Sequence, residues 1–163
     1  MVNFKETDAP MGDSLVRQAS ALLSGHTDLV ANAANLSSLL YHALDQVNWV
    51  GFYFLKGDEL IVGPFQGKPA CVTIPLGRGV CGTAALTRAV QRVADVHAFE
   101  GHIACDIQSR SEIVLPLLKG GELLGVLDLD SPVKDRFSDA DEVVLREIAD
   151  VFVGSLEVDS IQP

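Results

Sequence analysis

The segment from Glu112 to Asp130, EIVLPLLKGGELLGVLDLD, constrains the fold of this chain more than any other stretch. Two apolar runs flank Gly120-Gly121, the pattern of an antiparallel hairpin. The second arm runs through GVLDLDSP, Gly125 to Pro132. Successive side chains of a strand point to opposite faces. Asp128 and Asp130 therefore share a face with Val126, while Leu127 and Leu129 occupy the other. The leucine face reads as core. The opposite face then holds two carboxylates roughly 6.6 Å apart, two steps of the usual strand rise. At an effective dielectric of about 20, two negative charges at that distance repel by about 2.5 kcal/mol. Such a strand needs a retained proton, a cation or access for water. Glu112, at the start of the partner arm, joins the same acidic cluster. Candidate neutralising cations are scarce, with 12 Lys and Arg against 22 Asp and Glu. Pairing with Lys119, Lys134 or Arg136 and a solvated face are the plain structural readings. A bound ammonium group is the functional one.

The rest of the chain supplies what packs on such a hairpin. A helix is expected from about Asp13 to Ser24, capped by Asp13, with Leu15, Val16, Ala19, Leu22 and Leu23 on one face. A second runs from about Thr27 to Gln46. NWVGFYFLKGDELIVGPF is another hairpin, turning at Gly57-Asp58. CVTIPLG is a short strand, RGVCGTAALTRA a short glycine-opened helix, and VQRVADV a further brief strand. The stretch from Asp95 to Ser111 has no clean period and reads as a long loop with one helical turn, the kind of loop that tends to be functional. The last helix follows Ser138, with Asp141 placed for a capping box. Hairpins with flanking helices predict an α+β fold, a central antiparallel sheet with helices packed on it, in one domain over residues 1–163.

Length and charge narrow the function classes. The chain is 48% hydrophobic, enough for a sizeable core, and carries a net charge of −10. A domain this acidic lacks the basic footprint of a nucleic-acid or anionic-lipid binder. MVNFKETDAPMGDS has no apolar leader core and no run approaches a membrane span, so a cytoplasmic protein is expected. Three cysteines, Cys71, Cys81 and Cys105, argue against a disulfide framework there. Their spacing lacks the paired C-x-x-C of a zinc clip, so no metal is expected.

Packing, redox and nucleophilic roles remain open for each cysteine. Cys105 sits in the loop HIACDIQSRSEIV, where a reactive thiol would be accessible; a buried, inert thiol is the competing reading. Acids such as Asp106 push a thiol pKa up. Cys81 opens a helix, where the dipole makes it the more acidic thiol by local logic, although CGTAA also looks like a tightly packed helix start. His97 and His102 precede Cys105; a Cys-His nucleophilic pair and a Cys/His metal site are the alternatives, but neither ring has an orienting third group and the metal spacing is irregular, so both read as surface or hydrogen-bonded loop histidines. Trp49, Gly51 and Tyr53 share one strand face, opposite a core face of Val50, Phe52 and Phe54. Trp49 and Tyr53 suit either a small pocket or a packed aromatic pair.

NWVGFYF, GPFQGKPAC, GRGVCGTAA, HIACDIQSRSEIVLPL and GVLDLDSP together resemble the free methionine-(R)-sulfoxide reductases, a family of stand-alone GAF domains. The likeness extends over nearly the whole chain. It implies that Cys105 is the nucleophile that becomes a sulfenic acid and that Cys71 resolves it as a disulfide. Cys81 takes an auxiliary or alternative resolving role. Trp49 and Tyr53 become pocket residues, with Trp49 against the S-methyl end. Glu112, Asp128 and Asp130 hold the substrate amino group and help protonate the sulfoxide, with Glu112 and Asp130 counted as catalytic. Asp106 and its neighbours would offer backbone N–H groups to the substrate carboxylate. No bound cofactor is implied. Electrons would come from thioredoxin, and ultimately from NADPH through thioredoxin reductase. Isolated GAF domains often dimerise, which leaves room for a homodimer. Two alternatives are a non-catalytic GAF sensor of a small ligand and a thiol-based oxidant sensor. Cyclic-nucleotide GAF domains carry an Asn-Lys and an F-x-x-x-D-E pattern. Here FSDADE supplies only the second half, and an oxidant sensor needs no acidic cluster.

Overall fold

The computed structural model describes residues 11–103 and 107–157. Its centre is a six-stranded sheet, antiparallel at every pairing. The strands are β1 (Trp49–Lys56), β2 (Glu59–Gly67), β3 (Thr73–Pro75), β4 (Gln91–Val93), β5 (Ser111–Lys119) and β6 (Glu122–Ser131), in the order β3-β2-β1-β6-β5-β4. Both expected hairpins form. The β5–β6 turn has Gly120 at φ 58° and Gly121 at φ 84°, the double positive φ of a tight type I′ connection.

Four helices pack on the sheet: α1 (Met11–Leu23), α2 (Leu29–Ala43), α3 (Gly79–Thr87) and α4 (Asp139–Ser155). They divide between its faces according to strand alternation. Val50, Phe52, Leu127, Leu129, Ile113 and Leu115 are buried on the face covered by α1, α2 and α4, where the Phe52 and Phe152 rings meet at 4.5 Å. Trp49, Tyr53, Val114 and Val126 lie on the other face with α3. The fold is the α+β arrangement expected, with the core on the leucine face of β6.

Element ends differ from expectation for local reasons. Asp13 lies inside the first turn of α1 rather than capping it. α2 starts later than Thr27, because the Asp28 carboxylate accepts from Ala31 N at 2.8 Å. It also stops before Gln46, which has a left-handed φ of 58°. β3 is confined to Thr73–Pro75, so Cys71 lies before the strand rather than opening it. The capping box of α4 is present, with Ser138 Oγ and the Asp141 carboxylate each accepting the other's backbone N–H. One turn of 3-10 helix, Val96–Ala98, forms in the long loop. Among the described residues no helix is long and apolar enough to cross a membrane.

Gly51 is required where the sheet meets the aromatic residues. A Cβ there would fall 2.3 Å from Phe65 Cβ, 2.9 Å from Phe65 Cα and 2.7 Å from the Trp49 ring. Backbone and a stacked ring cannot both retreat. Gly51→Ala is therefore expected to destabilise the fold by about 1–3 kcal/mol, the usual effect of overpacking. A urea midpoint equal to that of the parent chain would contradict this close approach.

Candidate active site

The strand register brings the acids together. Glu112 on β5 pairs directly with Asp130 on β6, and Asp130 pairs with Trp49 on β1. The row below runs Val114, Asp128, Gly51. Side chains at directly opposed positions stand about 5 Å apart. One face of three adjacent strands thus carries three carboxylates beside an indole. α3 lies over this face and inserts Cys81, whose thiol donates to Glu112 Oε1 at 3.8 Å. Glu112 and Asp128 are 6% and 5% exposed and Cys81 4%. The result is a small cleft walled by the aromatics, the acids, the start of α3 and the His102–Ile103 segment.

The aromatic wall is fixed by its polar ends. Trp49 stacks on Tyr53 at 5.8 Å and on Phe65 at 5.2 Å. Trp49 Nε1 donates to the Lys68 carbonyl at 3.1 Å, and the Tyr53 hydroxyl donates to the Cys71 carbonyl at 3.2 Å. Both rings therefore line the cleft and tie down the segment that carries Cys71. The polar ends go to backbone, so these residues offer the ligand their ring faces. Burial, then the charge of Asp128, keeps the Tyr53 phenol protonated far beyond its ordinary range.

The three cations expected as partners are engaged elsewhere. Lys119 donates to the carbonyls of Val153 and Leu156 at the end of α4. Lys134 pairs with Asp95 at 3.1 Å, and Arg136 with Asp141 at 3.0 Å. Asp128 Oδ1 is buried and accepts no hydrogen bond among the described residues. Carboxylates in such surroundings hold protons. Burial, reinforced by Asp128 and Asp130, pushes Glu112 well above the usual carboxyl range. Burial also pushes Asp128 up to about 6.

Cys81 departs from its expected acidity. It does lie in the first turn of α3 and is packed, but complete burial comes first and Asp128, Glu112 and Asp130 add to it, so its pKa is pushed well up. Three carboxyls outweigh a short helix's dipole. His102 was expected as a surface or hydrogen-bonded loop residue. It instead lines the cleft, with Nε2 4.0 Å from Glu112 Oε2, and burial lowers its pKa. His97 stays exposed. The contact that places His102 is absent from any local pattern. Ile103, next in sequence, rests on Gly79, where an added Cβ would come within 3.2 Å of its side chain. Ser109 and Arg78 also line the cleft without a sequence signal of their own. Cys105 and Asp106 lie outside the described residues. The FSDADE motif is used structurally, since Phe137 is core and Asp141 belongs to the α4 cap.

A sheet with one helix-covered hydrophobic face and a small polar cleft on the other is the arrangement of a GAF domain, and the GAF domain model matches residues 18–156. Closer relatives narrow the group. The free methionine-R-sulfoxide reductase of Escherichia coli (strain K12) is 57% identical over 134 residues, which span 82% of this chain and 81% of that protein. The structure of fRMsr of Staphylococcus aureus in complex with substrate is 48% identical with a TM-score of 0.86, covering 96% of this chain and all of that one. The free methionine-R-sulfoxide reductase from Neisseria meningitidis, also solved with its substrate, is 40% identical with a TM-score of 0.89, covering 95% and 94%. The chain belongs to the free methionine-R-sulfoxide reductase family of oxidoreductases.

The buried acids give a signed pH prediction. Asp128 titrates near 3.8 in the unfolded chain and near 6 in the fold. Folding therefore takes up a proton between these values, and the stability Asp128 contributes is full below about pH 4 and lost as pH rises through 6. Asp128→Asn should remove this slope and make the ligand-free protein more stable than the parent at pH 7–8. Parallel stability–pH curves from chemical denaturation of the two proteins would refute it.

Proposed function

We propose that this protein reduces free L-methionine-(R)-sulfoxide to methionine with a cysteine thiol as the first electron donor. The observation that carries the reading is the row Glu112, Asp130, Trp49, with Asp128 beside it. An α-amino acid brings an ammonium group, which the crowded acids need. It also brings a thioether-like end, which suits the faces of Trp49 and Tyr53. The free amino acid is favoured over a peptide-bound residue, because acylation removes the ammonium charge.

The acids serve the chemistry as well as binding. A sulfoxide sulfur accepts a thiolate readily once its oxygen carries a proton, so a nearby acid held protonated near neutral pH is an effective donor. Glu112 meets that requirement by burial and by its like-charged neighbours. Asp128 and Asp130 hold the ammonium, and Asp130 also holds the reacting end in register with Trp49. Cys105 attacks the protonated sulfoxide sulfur. The hydroxyl passes from that sulfur to the Cys105 sulfur as the new S–S bond and the old S–O bond break, so methionine departs and Cys105 keeps the oxygen as a sulfenic acid. The Cys71 thiol then displaces water, giving a Cys71–Cys105 disulfide. The Tyr53–Cys71 hydrogen bond supports this reading, because it holds the Cys71 segment against the cleft. Thioredoxin, recharged by NADPH through its reductase, returns both thiols. Backbone N–H groups near Asp106 receive the substrate carboxylate. Cys81, with its thiol bonded to Glu112, stays protonated during the first step and serves as an auxiliary thiol.

Incubation with thioredoxin, thioredoxin reductase, NADPH and free L-methionine-(R)-sulfoxide should oxidise NADPH. No oxidation, with the coupling enzymes active, would sink the proposal. Cys105→Ser should abolish turnover. Cys71→Ser should release about one equivalent of methionine per enzyme and then stall; steady turnover by either variant would reassign the cysteines. N-acetylation of the substrate should lower kcat/KM at least about 100-fold, taking about 3 kcal/mol for a charged hydrogen bond lost. Equal rates would remove the ammonium role.

A further inference from the structure

We propose that the cleft also binds a borderline-soft divalent cation of the Zn²⁺ type, held by Cys81 Sγ, Glu112 and Asp128 with a water as the fourth ligand, in competition with the amino-acid substrate. Nothing in the reductase reading uses a metal. The site is built from residues that are separate in sequence and come together through β5, β6, α3 and the loop after β4. One donor atom each from Cys81, Glu112 and Asp128 lies within 4.8 Å of the others. The Cys81 Sγ to Glu112 Oε1 distance is already 3.8 Å. Two donors on a tetrahedral zinc ion stand about 3.5 Å apart for metal–ligand bonds of about 2.0–2.3 Å. Closure by less than about 1.5 Å therefore completes the triad.

A second observation points to a ligand. Asp128 is 5% exposed, and its buried Oδ1 accepts no hydrogen bond among the described residues. An unpartnered buried carboxylate oxygen is a vacant metal-ligand position in chemical terms. His102 Nε2 lies 4.0 Å from the other oxygen of Glu112 and borders the same cleft. A donor set of one sulfur and two carboxylates, with a fourth position open to water, matches the preferences of zinc. Magnesium and calcium take all-oxygen shells and would leave the thiol out. Binding involves no redox change: Cys81 and Glu112 release their protons to solvent and coordinate as thiolate and carboxylate. The acids cannot serve a metal and a substrate ammonium at once, which makes the cation a competitive ligand.

The test uses the full chain carrying Cys71→Ser and Cys105→Ser, so that Cys81 is its one thiol, and Co²⁺ as the spectroscopic probe. One equivalent of Co²⁺ should produce a near-ultraviolet thiolate-to-cobalt charge-transfer band, and Zn²⁺ should abolish it stoichiometrically. Asp128→Asn in that background should weaken Zn²⁺ binding at least about 10-fold, in line with losses on altering a metal site. Cys81→Ser should remove the band. No band at equimolar Co²⁺, or an affinity unchanged by Asp128→Asn, would overturn the proposal. If Cys81→Ser does not fold, the Asp128→Asn comparison still decides. These readouts need no turnover, so they stand or fall independently of the reductase reading. In the unaltered enzyme Zn²⁺ should raise KM for the sulfoxide without changing kcat, and a fall in kcat alone would place the cation elsewhere.

Discussion

Three carboxyls and a thiol sharing one buried wall is the interaction on which the rest of the structure depends. Taken alone it opposes folding, because removing carboxyl charge from water is expensive. Glu112 and Asp128 are nonetheless held there by strand register, and register is set by the opposite face of the same strands. Leu127, Leu129, Ile113 and Leu115 are locked into the helix-covered core. A one-residue slip would move them into the cleft and the acids into the core. The apolar face thus stabilises a polar face that could not stabilise itself.

The labour divides along the same line. The sheet and α1, α2 and α4 provide rigidity, while α3 and the connecting segments provide chemistry. Trp49 and Tyr53 link the two, since they are strand residues whose polar ends hold the irregular Lys68–Cys71 stretch. Gly51 lets the indole lie flat against the sheet. Gly79 lets Ile103 close on α3 and so carries His102 into the cleft. The acids also explain why Cys81 is a poor candidate for the initial nucleophile: its surroundings favour the protonated thiol.

Much of this was legible in the sequence because alternation and turn chemistry are local. The pattern of GVLDLDSP assigned Asp128 and Asp130 to one face, and the Gly120-Gly121 turn placed Glu112 opposite them, as the pairing of Glu112 with Asp130 bears out. Ser138 and Asp141 announced their capping box in the same way. Properties that depend on contacts distant in sequence were not legible. The acidity of Cys81 was misjudged because a helix-start argument does not include carboxyls brought over by β5 and β6. His102 has no orienting third group in the sequence, and its position depends on Ile103 meeting a glycine of another element. The ring faces rather than the polar ends of Trp49 and Tyr53 meet the cleft, because the carbonyls that satisfy them lie in an irregular segment.

The central claim is that the buried acids hold protons, Asp128 yielding its own to a substrate ammonium while Glu112 keeps one for the sulfoxide oxygen. Proton release on ligand binding tests it most directly. Calorimetric titration of the enzyme with methionine, repeated at pH 5–6 in buffers of different ionisation enthalpy, reads the number of protons exchanged. An arriving ammonium lowers the pKa of Asp128, which it contacts, so the account predicts net proton release that shrinks in Asp128→Asn. Binding with no proton exchange, or with proton uptake, would contradict it.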